Sequence, residues 1–301
     1  MPVGAVDIGT NSVRLLVIDE AGKELEREMV ITQLGQGVDK TRSLHPDAIA
    51  RTAAVLRTYR ALLDKHRATR VRATATSAAR DADNREAFFA AAEEALGIRP
   101  QLISGDEEAE LSFRGATTGL SAELGPFLVL DIGGGSTEFV LGSTAPEAMT
   151  SVALGCVRMT ERFIKTDPPQ PEELAECARA TREILTEVVR KVPAHKAKTM
   201  IGLAGTVTSL ASLAAGSMRY DPAVTHHSRL TREVVSQLCE RLARASLAER
   251  RSMLATPKRG EVIVAGAVIL RTIMEELDRD ALMVSETDIL DGLATSMLQT
   301  T

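Results

Sequence analysis

The feature that most constrains this chain is a short sequence that occurs twice. Residues 5–17 read AVDIGTNSVRLLV and residues 129–141 read VLDIGGGSTEFVL, so that Asp7 aligns with Asp131, Ile8 with Ile132, Gly9 with Gly133 and Ser12 with Ser136. In each copy apolar β-formers lead into a turn of glycine and hydroxyl residues, and β-branched or aromatic residues lead out of it. Each copy therefore reads as strand, tight turn, strand. A P-loop or a dinucleotide fingerprint would run from its glycines into a helix, and neither GxGxxG nor GxxxxGK[ST] occurs here. Two copies imply two halves of similar architecture, each with one hairpin turn rich in N–H groups and carrying one aspartate.

A length of 301 residues suits two domains of about 150 each. Between the copies the apolar period becomes helical. Residues 46–66 open with Pro46 and Asp47 and place apolar side chains three and four apart, and a second helix, NREAFFAAAEEAL, ends on Gly97. RVRATATSAAR between them reads as a strand and a loop. After the second copy, helices are expected over 170–192, 231–244 and 261–276, with a strand at ALMVSE and a last helix beyond it. KTMIGLAGTVTSLASLAAG passes from a strand through Gly202 and Gly205 into a helix whose N-terminus suits an anion. Strands alternating with helices in each half make the fold α/β, with a cleft between the halves. The division falls near residues 120–126, giving domains 1–122 and 123–301, with the last helix, about 286–301, free to pack back on the first.

Composition narrows the function classes. Hydrophobic residues make up 44% and charged residues 26%, as in ordinary globular proteins. A net charge of −5, 3% aromatic residues and no tryptophan argue against a nucleic-acid binder. No apolar run approaches the roughly 20 residues that span a bilayer, so no membrane role is expected and a cytoplasmic location is. Cys156, Cys177 and Cys239 form no CxxC and read as buried small hydrophobes. Of 36 basic residues 28 are arginine, and no acid interrupts Lys65 to Arg80. That stretch reads either as a solvated strand edge or as a path for a polyanion. His45, His66 and His195 read as surface or cap residues, and the adjacent His226 and His227 would diverge in a strand.

ISGDEEAELSFRG, residues 103–115, holds the candidate acid–base group. Ser104 and Glu107 form a capping box, which gives Glu107 a structural task. Glu108, turned about 100° further round the helix, could act as acid or base, and its protonation state is not set by sequence. Asp7 and Asp131 could each simply bind their own turn, or together hold hydrated magnesium. The alignment also sets Arg14 against Glu138, a cation in one copy and an anion in the other.

VDIGTNSVRLLV, ATSAARDADN, ISGDEEAELSF, LDIGGGSTEFV, LGCVRMTERF and GLAGTVTSLA stand in the order and spacing of the exopolyphosphatase/guanosine pentaphosphate phosphohydrolase (Ppx/GppA) family, which this sequence resembles along its whole length. The resemblance implies two actin-like, ribonuclease H-like domains of the ATPase superfamily with an interdomain cleft. It implies an enzyme, a phosphoric anhydride hydrolase that releases orthophosphate from the end of inorganic polyphosphate with Mg2+ or Mn2+, and a homodimer. Glu108 would activate the attacking water, with Asp131 and Glu138 supporting metal and water and Asp7 a further metal ligand. The turns Gly9, Thr10, Asn11, Ser12 and Gly133, Gly134, Gly135, Ser136, Thr137 would hold phosphate, with Arg14, Arg80 and Arg259, and with Gly205 and Thr206 at the helix N-terminus. Hydrolysis of guanosine pentaphosphate, pppGpp, is the nearest alternative; an ATP-dependent kinase or a nonhydrolytic sensor on the same fold is more distant. The chain resembles the short, two-domain members of the family, from which weaker processivity on long chains is expected. Asp288 stands where many members have glycine.

Overall fold

A computed structural model describes residues 1–298. They form two compact units, Met1–Gly115 together with the segment from Asp288 onward, and Ala116–Thr287. In the first unit the strands are β1 (Val3–Ile8), β2 (Ser12–Ile18), β3 (Glu24–Ile31), β4 (Arg70–Ala75) and β5 (Gln101–Leu102), in the order β3-β2-β1-β4-β5. β2 runs antiparallel to β1 and β3, whereas β4 and β5 continue parallel to β1. The apolar run Val3 to Val6 of β1 suits this central place, where all six residues of the strand, Asp7 included, are buried. β3, ELEREMVI, lies at the edge and carries four charged residues, Glu24, Glu26, Arg27 and Glu28, which discourages further strand pairing.

The helices of this unit are α1 (Val38–Thr41), α2 (Pro46–Lys65), α3 (Ser77–Asp81), α4 (Arg85–Leu96) and α5 (Gly105–Thr117). α2 begins with Pro46 in the first position, and Asp47 N–H donates to the His45 ring at 3.2 Å, so His45 is the cap. α4 ends at Gly97, whose φ of 79° is the left-handed turn that glycine adopts without a Cβ penalty. Leu56, Tyr59 and Leu63 of α2 and Phe88, Phe89 and Leu96 of α4 are buried in one core with Val6, Ile8 and Leu15 of the sheet.

The second unit repeats the plan with β6 (Phe127–Ile132), β7 (Thr137–Gly142), β8 (Pro146–Val152), β9 (Thr199–Leu203), β10 (Arg229–Thr231) and β11 (Ala281–Val284), in the order β10-β11-β9-β6-β7-β8. Three antiparallel strands, β8-β7-β6, continue into parallel β9 and β11, and β10 is added antiparallel at the far edge. Both sheets thus have the strand order and directions of the ribonuclease H-like fold shared by actin-like ATPases. Its helices are α6 (Cys156–Phe163), α7 (Pro171–Lys191), α8 (Ala204–Ala214), α9 (Pro222–Thr225), α10 (Arg232–Arg244), α11 (Leu247–Met253) and α12 (Ile263–Glu276). α12 is apolar nearly all round and buried accordingly.

The chain then returns to the first unit as α13 (Ile289–Leu298). Ile289, Leu290, Leu293, Ala294 and Met297 cover Val3, Ala5, Leu16 and Ile18 of β1 and β2, with Ile103 and Leu111 beside them. A Cβ on Gly115 would overlap the Asp288 carbonyl, and one on Gly292 the Leu111 carbonyl, so α5 and α13 pass at glycine distance.

Several elements differ from expectation. The segment after β4 is the short helix α3 rather than a loop, while β3, β8, α6 and α11 go unannounced by periodicity. His226 and His227 are not in a strand: a positive φ of 60° at His227 turns the chain and the rings stack at 3.7 Å. All three cysteines are buried and unbridged. No helix among the described residues is long and apolar enough to cross a membrane.

Candidate functional site

The turn of the second unit lies between β6 and β7. Strand register sets Asp131 directly across from Glu138, and both carboxylates are buried. Glu138 accepts from the Ser151 hydroxyl on β8 at 2.7 Å. Gly133 N–H closes the turn on the Ser136 carbonyl at 3.0 Å, while the N–H groups of Gly134, Gly135 and Ser136 make no hydrogen bond among the described residues. Backbone donors left open in a glycine turn are a natural grip for anionic oxygens. In the same unit Arg259 lies against the start of α8, where a Cβ on Gly205 would overlap its guanidinium. The structure thereby brings together Gly205 and Arg259, and Thr206 is buried beside them in the first turn of that helix.

The turn of the first unit closes on the same hydrogen bond, Gly9 N–H to the Ser12 carbonyl at 2.9 Å, and carries different charges. Register sets Asp7 across from Arg14, whose Nη2 and Nε reach Asp7 Oδ2 at 2.7 and 3.2 Å. Nη1 of Arg14 donates to Asp288 Oδ2 from the start of α13. Burial raises the Asp7 carboxyl above its ordinary range against the opposing pull of Arg14, and Asp7 Oδ1 is buried with no hydrogen-bond partner. Arg14 is thus held between two acids of its own unit, and the adjoining pair Arg27–Asp291 at 2.6 Å extends the network. The N–H groups of Thr10 and Asn11 make no hydrogen bond among the described residues, and the Gly35 N–H holds the Thr10 carbonyl at 2.8 Å.

Glu108 stands in the first turn of α5. Ser104 caps this helix, taking the Glu107 N–H at 3.1 Å, and the Glu107 side chain lies outward near Arg72. Glu108 Oε2 meets Arg80 Nη1 at 2.8 Å, and the same nitrogen donates to the Ile103 carbonyl at 3.0 Å. Arg80 therefore fixes a carboxylate that is only 12% exposed. Among the described residues no group of three or more His, Cys, Asp or Glu is arranged to hold a metal.

The model of the Ppx/GppA phosphatase family matches residues 16–301. The chain belongs to this family. It is 44% identical to exopolyphosphatase 2 of Mycobacterium tuberculosis over 98% of both chains. Among solved structures, an exopolyphosphatase-like protein superposes with a TM-score of 0.95 at 35% identity, covering 99% of each chain. The Ppx/GppA protein of Aquifex aeolicus gives 0.82 at 32% identity, over 99% of this chain and 98% of that one.

Sequence reasoning missed several residues of this Ppx/GppA protein that shape the turns. Asp288, noted only as a departure from glycine, is the second acid on Arg14. Gly35 and Gly155 each follow a buried leucine, Leu34 and Leu154, and each packs on the turn of its own unit: a Cβ would overlap Thr10 or Gly134. The repeated Leu-Gly pair is a signal that extends the duplication beyond the hairpins. The run from Lys65 to Arg80, acid-free in sequence, is not so in space, since Lys65 meets Glu26, Arg72 meets Glu107 and Arg80 meets Glu108.

Proposed function

We propose that this protein is an exopolyphosphatase that releases orthophosphate from the end of inorganic polyphosphate. The observation that carries this reading is the 44% identity to an exopolyphosphatase over 98% of the chain. The turn geometry supports it: open N–H groups at Gly134, Gly135 and Ser136, and at Thr10 and Asn11, suit phosphate oxygens, with Arg14, Arg80 and Arg259 as further cationic contacts.

Glu108 takes a proton from the attacking water as oxygen joins the terminal phosphorus. The bridging P–O bond breaks, orthophosphate forms, and the shortened chain leaves with the electron pair. Arg80 orients the Glu108 carboxylate for this task. Asp131 and Glu138 would hold magnesium or manganese. Two buried carboxylates facing each other across neighbouring strands fit a hard cation that keeps waters and takes phosphate oxygens as its remaining ligands. When bound, the ion supplies neutralisation of the charge that develops on the leaving phosphate. Asp7, already engaged by Arg14, contributes its charge to positioning that arginine. The family resemblance also favours a cytoplasmic homodimer, for which light scattering reads the mass.

Glu108→Gln should lower phosphate release by ~10²-fold or more in a protein that still folds by circular dichroism. Phosphate release from polyphosphate and from pppGpp, measured side by side, tests the substrate. Turnover of pppGpp alone would move the activity to the nucleotide.

A further inference from the structure

We propose that Arg158, on α6, is a positioning residue that sets the direction of the phosphate-binding N–H groups in the turn 133–136; this rests on reading that turn as a phosphate grip. In a trans peptide the carbonyl and the following N–H point in opposite directions, so whatever holds a turn's carbonyls from behind aims its N–H groups forward. The Gly133 carbonyl accepts from Cys156 N–H at 3.0 Å, and the Gly134 carbonyl from Val157 and Arg158 N–H at 2.9 and 3.2 Å. These donors belong to the first turn of α6, which has no intrahelical acceptor for them. The helix backbone thereby orients the N–H groups of Gly134 and Gly135.

The third peptide is held differently. The Gly135 carbonyl accepts from Arg158 Nε at 2.7 Å, and Arg158 is only 9% exposed. A buried, charged donor with a fixed planar fork holds that peptide and so directs the N–H of Ser136. Without it the carbonyl loses its charged donor, and a glycine backbone offers little resistance to rotation, which would turn an oxygen toward the bound anion. Gly155 completes the seat, because a Cβ there would strike the peptide joining Gly134 and Gly135. In the first unit the corresponding carbonyls of Thr10 and Asn11 are held by backbone N–H groups of Gly35, Thr32 and Gln33. Among the described residues Arg158 has no counterpart there in the bonds to these carbonyls.

The test compares wild type with Arg158→Met, Arg158→Lys and Gly155→Ala. Each is assayed for orthophosphate affinity by calorimetry, KM and kcat on polyphosphate, and melting temperature. Arg158→Met should weaken orthophosphate binding and raise KM by ~10-fold or more, Arg158→Lys should recover part of both, and Gly155→Ala should behave like the methionine variant. A lower melting temperature with KM and affinity within about twofold of wild type would overturn the proposal, since such a shift is below the range expected for a lost charged hydrogen bond. If Arg158→Met does not fold, unchanged phosphate affinity in both other variants overturns it equally. A wild type that binds orthophosphate through Arg158 yet releases none from polyphosphate overturns the substrate reading and leaves the positioning role standing. A wild type that neither binds nor releases phosphate overturns both.

Discussion

The turns of the two units close in the same way and differ in charge at one cross-strand position. Across from Asp7 stands Arg14, and across from Asp131 stands Glu138. The first arrangement answers a buried aspartate from within the fold, and a second acid, Asp288, engages the same arginine. The second sets acid against acid, where like charges directly opposite are destabilising. The cross-strand pair of the duplicated hairpin is therefore charge-balanced in one unit, while the other keeps an arrangement whose stability cost is most simply explained by function.

Removing Arg14 should break this comparison most visibly. Arg14→Met leaves Asp7 and Asp288 buried without their shared cation, and should cost about 3 kcal/mol in urea unfolding. Adding Asp7→Asn should recover part of that loss in a double-mutant cycle. Glu138→Gln should do the opposite: phosphate release falls by ~10²-fold while the melting temperature holds or rises. A parallel loss of stability would show that Glu138 is as structural as Arg14. The smallest effect concerns Glu26, whose carboxyl is held below its ordinary range first by the His66 ring and then by Lys65, at 2.8 and 3.0 Å. Because the folded-state pKa is depressed, its contribution is present above the unfolded value and lost as pH falls through the folded one. Glu26→Gln should therefore cost ~0.5 kcal/mol at neutral pH and nothing in acid below that lower pKa, measured by unfolding across pH.

Much of the architecture was legible because its signals are local. The two DIG turns, the Pro46 start of α2 and the Gly97 stop of α4 are written in adjacent residues. β3 escaped because an edge strand carries charges where a central one carries valine, and periodicity sees only the charges. The pairing of Glu108 with Arg80 and of Arg14 with Asp288 could not be read by spacing, since 28 and 274 residues separate the partners. The acids that meet the basic run from Lys65 to Arg80 were hidden for the same reason, as they come from other elements. Gly155 and Arg158 were visible within LGCVRMTERF, but their role depends on which carbonyls lie beneath α6.

The first unit is assembled from two separated stretches of the chain, and this bears on the order of its synthesis. Val3, Ala5, Leu16 and Ile18 are made before the second unit, yet the side chains of α13 that cover them come after residue 288. Domains of a nascent chain usually fold as units with the N-terminal one first. Here the residues that cover one face of the first sheet are made only after every residue of the second unit.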